Sequence, residues 1–304
     1  MHKPSSQPLR TYRGRFAPSP TGPLHIGSLS TALASFLQAR ANNGRWLVRI
    51  EDIDPYRSLP ENADRILRTL DRFGLHWDDV VLYQSSRLER YQAALDKLDK
   101  MELLYPCACS RKSLSRHQEK NPGLSTYPGT CRNKGLNRQR PHALRIKTSN
   151  TPLVFDDAIQ GHFQQALARD IGDFVIRRRD HAFAYQLAVV VDDHDQEISE
   201  VMRGVDLLES TPRQIFIQRC LDLSTPHYGH IPVLVDKYGK KLSKQAHARP
   251  VDDDHPSDSL FYLLERLNQS PPKDLCGAKP ETLLDWAIAH WDSAKLRNVR
   301  TIPL

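Results

Sequence analysis

Apolar residues along this chain fall into short blocks whose spacing alternates between strand-like and helix-like periods. Tyr12–Ala17 reads as a short strand, and Gly27–Ala41 as an amphipathic helix. WLVRIED, Trp46–Asp52, is a buried-strand run ending in acids, and a helix is expected from about Glu61 to Phe73. A strand at Val80–Ser85 and a helix at Leu88–Leu104 continue the series. Strands alternating with helices of about 10–15 residues imply parallel βαβ units and a doubly wound sheet. Ligands of such sheets sit at the carboxyl ends of strands, where Arg15–Ser19 and Glu51 fall.

The pattern lapses at Cys107. From there to about Leu144 the chain is rich in Arg, Lys, Ser, Asn and Gly, with little periodicity. FVIRRRDHAFAYQLAVVVDDH, Phe174–His194, resumes as a strand followed by a helix or strand. Arg203–Leu221 carries helical spacing, and Ile231–Lys244 reads as a strand, a Lys-Tyr-Gly turn and a short return. Asp258–Asn268 and Glu281–His290 read as two closing amphipathic helices. The expected architecture is α/β: a parallel-sheet nucleotide-binding domain split by an insertion. Its halves are 12–104 and 191–250, the insertion is 105–190, and 251–304 is a short helical end.

Composition adds two facts. At 304 residues the chain can bury a real core, and its formal net charge is +7. Between Cys107 and Ser149 ten Lys/Arg face one acid, Glu119, a patch suited to a polyanion such as nucleic acid. Five cysteines are too few and too bunched for a disulfide framework. Cys220 and Cys276 stand alone and are expected to be buried thiols. Cys107, Cys109 and Cys131 fall within 25 residues, a density that favours zinc. Spacing alone leaves the fourth ligand to His117 or His142. MHKPSSQPLR has no apolar core of a signal peptide, and runs such as Leu187–Val191 are too short to span a bilayer. A soluble cytoplasmic protein without a membrane role is expected.

The candidate chemistry begins with RFAPSPTGPLHIGSLSTALASF, Arg15–Phe36, a stiff loop placed just before a helix. Gly27 lets the backbone approach a ligand closely, and the helix start offers unpaired N–H groups to phosphate. His25 could donate to a phosphoryl oxygen as charge builds there. Far downstream, Lys241 and Lys244 flank Ser243 in KLSK, where two ammonium groups could neutralise a departing pyrophosphate.

LHIGS and KLSKQ together resemble the HIGH and KMSKS signatures of class I aminoacyl-tRNA synthetases. RFAPSPTG and RIEDID look like the glutamyl branch. Ser28 stands where HIGH has its second histidine, and Leu242 and Gln245 replace the Met and final Ser of KMSKS. The resemblance implies an ATP site at His25, Gly27, Lys241, Ser243 and Lys244, with His25 and Lys244 acting catalytically. It implies a glutamate pocket from Arg15, Phe16, Ala17, Pro18 and Ser19, closed by Glu51, Tyr185 and Arg203. Arg15 would fork onto the substrate's side-chain carboxylate, and Glu51 would receive its ammonium. The substrate carboxylate would attack the α-phosphorus of Mg²⁺-bound ATP, so catalysis is placement plus electrostatics.

CxC followed by YPGTC resembles the glutamyl-Q tRNA(Asp) synthetases, which implies one structural zinc on Cys107, Cys109, Tyr127 and Cys131. That family attaches glutamate to queuosine in the anticodon of tRNA(Asp). Only 59 residues follow Gln245, too few for the anticodon-reading domain of an ordinary glutamyl-tRNA synthetase. A monomer is expected. The rivals are an enzyme charging a tRNA 3′ end, a small-molecule adenylate-forming ligase and a zinc-stabilised RNA-binding protein without catalysis.

Overall fold

In a computed structural model the described residues are 11–120, 126–240 and 251–304, and the fold is stated for those. β1 (Arg13–Phe16) leads through α1 (Ile26–Ala41) to β2 (Arg45–Ile50), α2 (Pro60–Arg72), β3 (Leu82–Tyr83) and α3 (Leu88–Lys100). Next come β4 (Leu104–Cys107), α4 (Arg111–Lys120), β5 (Ala143–Ile146), β6 (Leu153–Asp157), β7 (Gly161–Gln165), α5 (Leu167–Asp170) and β8 (Phe174–Arg177). The chain then runs through α6 (Tyr185–Asp195), β9 (Glu200–Gly204), α7 (Thr211–Leu221), β10 (His227–Ile231) and β11 (Val233–Val235). It ends in α8 (Pro256–Arg266), α9 (Pro280–His290) and β12 (Thr301–Pro303).

β1, β2 and β3 are parallel neighbours in that order, and β9 and β10 form a second parallel pair. The Ser199 N–H donates to the Arg13 carbonyl at 3.0 Å, which sets β9 beside β1. The spatial order is therefore β3-β2-β1-β9-β10. Strand order reverses between β1 and β9, the switch point where such sheets bind ligands. The doubly wound expectation holds. The insertion is antiparallel: β4-β5-β8 make one sheet, and β6 and β7 make a hairpin.

Leu29, Leu33 and Leu37 recur every fourth residue on α1 and are fully buried; truncating one to alanine is expected to cost about 2–5 kcal/mol. Ser30, Ala34 and Ser35 on the other faces are buried too. The helix is thus covered all round rather than amphipathic, because leucines of α8 and α9 join the same core. Trp46 meets Phe16 in a stack and Phe36 edge-on, and its indole N–H donates to Ser35 Oγ at 3.0 Å.

Several boundaries differ from the expectation for local reasons. Asp79 has φ +63° and Val80 is exposed, so pairing starts only at Leu82. Glu102, at φ +57°, ends the turn after α3 and sends Leu104–Cys107 into a strand. Arg203 and Gly204 end β9, and a 3-10 segment at Val205–Ser210 precedes α7. Within the aperiodic stretch lies α4, while β6, β7 and β12 follow no expected element. Cys220 is half-buried and Cys276 is exposed, not buried as expected.

Candidate active site and metal centre

A cavity of about 310 Å³ opens where β1 and β9 part. Arg15, Phe16, Ala17, Pro18 and Ser19 line it from the end of β1, and His25, Gly27 and Ser28 from the start of α1. Tyr185 and Arg203 close the opposite side. Gly204 sits beside them because an added Cβ would lie 2.5 Å from Asp206 Oδ1. Lys241, Ser243 and Lys244 lie outside the described residues.

His25 caps α1: its Nδ1 accepts the Ser28 N–H at 3.2 Å, and its Nε2 lies 3.0 Å from Ser28 Oγ. Accepting at Nδ1 puts the neutral ring's proton on Nε2. Ser28, the departure from HIGH, is thus bonded to the imidazole it accompanies and shares its cavity. No acid occupies the first turn of α1, so its positive end is available to phosphate.

Arg15 is only 3% exposed. Its Nε and Nη2 donate to Asp193 Oδ1 and Oδ2 at 3.1 and 3.4 Å. Arg49 pairs with the same carboxylate at 2.8 Å. Burial opposes ionisation of Asp193, but the two guanidinium groups together hold it below the usual carboxylate range. Asp193 therefore orients Arg15 and takes up two of its donors.

Glu51 follows β2 and is not among the cavity-lining residues, but its charge acts on Arg15 and Tyr185, which are. Its Oε1 is buried without a hydrogen-bond partner, and Arg49 is 3.6 Å away. Burial pushes the Glu51 pKa up to about 7, against the pull of Arg49 and Arg15. An unpartnered buried carboxylate oxygen is an arrangement that a ligand cation would relieve.

Arg203 is held on several sides. Its Nε donates to His230 Nε2 at 3.0 Å and its Nη2 to Thr211 Oγ1 at 2.8 Å. Its Nη1 lies 3.4 Å from Tyr185 Oη, joining the two residues that the family resemblance assigned to one pocket.

The second centre lies in the insertion, and none of its residues lines the cavity. The Sγ atoms of Cys107, Cys109 and Cys131 all lie within 4.8 Å of one another, with Cys109 and Cys131 at 3.6 Å. Tyr127 Oη is 3.4 Å from Cys107 Sγ and 3.8 Å from Cys109 Sγ. A tetrahedral ion with Zn–S bonds of about 2.3 Å sets ligand atoms roughly 3.8 Å apart, so the three thiols and the phenol fit one. His142 Nδ1 instead contacts the Arg140 carbonyl at 2.7 Å. Arg145 covers the Tyr127 ring at 3.7 Å and donates to Cys107 Sγ at 3.3 Å. Gly172 is required behind the site: at φ +76° it leaves an added Cβ 2.5 Å from the Tyr127 carbonyl.

The basic patch is partly spoken for. Arg132 pairs with Asp173, Arg138 with Asp99, and Lys147 donates to the Glu102 carbonyl. Arg111, Lys112, Arg116, Lys134 and Arg140 are exposed.

Sequence reasoning passed over Asp193, Arg49, His230 and Asp157. The acids of DDHD, Asp192–Asp195, at the end of the apolar AVVV were the available signal. No helix among the described residues is long and apolar enough to cross a membrane.

A family model described as the class I tRNA synthetases (E and Q) catalytic domain matches residues 11–273. A glutamyl-Q tRNA(Asp) synthetase of Methylococcus capsulatus is 51% identical over 299 residues, covering 98% of this chain and 97% of its own. One from Thiobacillus denitrificans is 48% identical over 291 residues, 96% of each chain. Among solved structures, a glutamate tRNA ligase from Elizabethkingia meningosepticum, in complex with its amino acid, superposes with a TM-score of 0.79. The match covers 97% of this chain and 67% of that one, and at 24% identity it shows the fold. The chain thus belongs to the catalytic-domain family of the class I tRNA synthetases for E and Q and, within it, to the glutamyl-Q tRNA(Asp) synthetases.

Proposed function

We propose that this protein activates L-glutamate with ATP, without tRNA, and transfers the glutamyl group to the queuosine base in the anticodon of tRNA(Asp). Near full-length similarity to proteins named for that activity carries the reading. The cavity supports it, since it gathers two arginines, a tyrosine and a capped helix start at the switch point. Arg15 meets the substrate's side-chain carboxylate, with Asp193 setting its plane. Glu51 receives the ammonium, while Tyr185 and Arg203 complete the pocket. ATP enters as its Mg²⁺ complex and lays its phosphates on the α1 N-terminus. There Gly27 permits close approach, and His25 Nε2–H, Lys241, Ser243 and Lys244 stabilise the charge that develops. The glutamate carboxylate attacks the α-phosphorus and pyrophosphate leaves. A queuosine hydroxyl then attacks the glutamyl-adenylate, and AMP leaves.

Residues 12–104 and 191–250 form the catalytic body of this reading, 105–190 the RNA-contacting insertion and 251–304 its helical support. Cys107, Cys109, Tyr127 and Cys131 hold one zinc, which when bound supplies a cross-link and no chemistry. The protein works as a cytoplasmic monomer.

ATP–pyrophosphate exchange without tRNA tests the first step. Exchange is expected with glutamate and not with aspartate or glutamine; exchange that ignores glutamate removes the reading.

Glu51 gives a pH signature. Only the carboxylate attracts an ammonium, so KM for glutamate is expected to rise as pH falls through about 7, at most about tenfold per unit. Glu51→Gln should give a high, flat profile. Stability runs the other way. The folded pKa exceeds the unfolded value, so ionisation penalises the ligand-free fold, increasingly from pH 4.5 to about 7 and fully above. Glu51→Gln should therefore raise the melting temperature at pH 8 and leave it little changed at pH 4; a rise of equal size at both would contradict the buried ionisation.

A further inference from the structure

Behind the cavity wall lies a buried relay that the reaction above leaves unused. His230 of β10 stands opposite Arg203 of β9 in the parallel register. Arg203 Nε donates to His230 Nε2 at 3.0 Å. A guanidinium has no lone pair to offer, so that ring nitrogen carries no hydrogen. The proton of the neutral ring is then on Nδ1, 2.5 Å from Asp157 Oδ2. Both side chains are fully buried. Burial pushes the His230 pKa down to about 4, against the opposing pull of Asp157, so the ring is neutral at pH 7. Asp157 Oδ1 accepts three backbone N–H groups, from Ile159 at 3.0 Å, Gln160 at 2.8 Å and His230 at 3.0 Å. Those bonds leave the other oxygen to the ring.

We propose that Asp157 and His230 are positioning residues for Arg203: the carboxylate selects the Nδ1–H tautomer, and the bare Nε2 fixes the guanidinium plane that meets the amino acid. This rests on the reading that Arg203 contacts glutamate. The relay spans 73 residues of sequence and reaches the cavity through one arginine. A fixed plane matters there because a guanidinium recognises its partner by a planar fork, not as a point charge.

Asp157→Asn tests the tautomer with no change of shape. The three N–H donors hold the amide oxygen at the Oδ1 position, so the new NH₂ faces His230 Nδ1 and drives the ring proton to Nε2. Thr211 Oγ1, 3.2 Å from that nitrogen, can accept a hydrogen bond from the new Nε2–H. Arg203 Nε is then left facing an N–H. In exchange assays D157N is expected to raise KM for glutamate about 30-fold, with kcat within about threefold and KM for ATP within about twofold. ¹⁵N spectra should show the His230 proton moving from Nδ1 to Nε2. A flipped tautomer with unchanged KM for glutamate overturns the proposal, as does a KM for ATP that rises in step.

Should D157N not fold, His230→Gln and His230→Leu decide. Both delete the ring, and only glutamine can return an acceptor to Arg203. A KM for glutamate at least about tenfold higher in H230L than in H230Q supports the proposal, and equal values overturn it. Wild-type protein that exchanges with glutamate while D157N behaves identically removes this inference alone. Wild-type protein without exchange removes the functional reading beneath it.

Discussion

Exchanging Arg15 for glutamine is expected to lower kcat/KM for glutamate in ATP–pyrophosphate exchange by about a thousandfold or more. A truncated partner in a desolvated charge pair costs about 3–5 kcal/mol, and each 1.36 kcal/mol is about one decade of rate. Two losses overlap in this variant. The substrate carboxylate loses its fork, and Asp193 loses two of its donors while keeping Arg49 at 2.8 Å. The second loss alone should reduce unfolding stability by about 3 kcal/mol. A double variant separates them. Asp193→Asn in the Arg15→Gln background relieves the carboxylate that has lost two donors, while Glu51 and Asp192 remain 3.6 and 3.9 Å from Arg49, so part of the lost stability should return while exchange stays lost. Recovery of exchange together with stability would show that Arg15 serves the fold and not the ligand.

Stripping the metal is expected to divide the two half-reactions. The thiol cluster sits in the insertion, and Cys107, Cys109, Tyr127 and Cys131 are all absent from the cavity wall. Structural zinc sites carry apparent binding free energies of about 10 kcal/mol or more. Chelation, or Cys131→Ser, should therefore loosen the insertion and lower its melting temperature. Glutamate-dependent exchange should persist within about threefold, whereas transfer to tRNA should fall by about a hundredfold. Metal analysis should find one zinc per chain in the intact protein and little in the variant. Loss of exchange in parallel with transfer would place the centre in the activation chemistry, against the geometry.

The contiguous parts of the site were legible in the sequence. Arg15–Ser19, His25 and Gly27 share one short loop and helix start, so local pattern fixes their place and their strand end fixes their depth. Tyr185 and Arg203 came only through family resemblance, because nothing within 18 residues of chain says that a tyrosine and an arginine will share a wall. The groups that hold the site together left weaker marks. Asp193 lies 178 residues from Arg15, and Asp157 lies 73 from His230. With 36 acidic residues in the chain, composition cannot say which of them are buried in pairs. Ser28 carried a different lesson: it looked like a missing imidazole and proved to be the hydrogen-bond partner of the one that remains. The basic stretch was legible as charge, and Arg111, Lys112, Arg116, Lys134 and Arg140 are exposed within it. Charge is visible in sequence, but the salt bridges of Arg132 and Arg138 are long-range and become visible only once the sheet is formed.

Labelled glutamate offered with ATP to matched preparations of tRNA(Asp), one carrying queuosine and one lacking it, probes the proposed reaction most directly. Glutamate is expected to enter the queuosine-containing RNA and to remain there after removal of the 3′ terminal nucleotide. Equal labelling of both RNAs, or label lost with that nucleotide, would contradict the account.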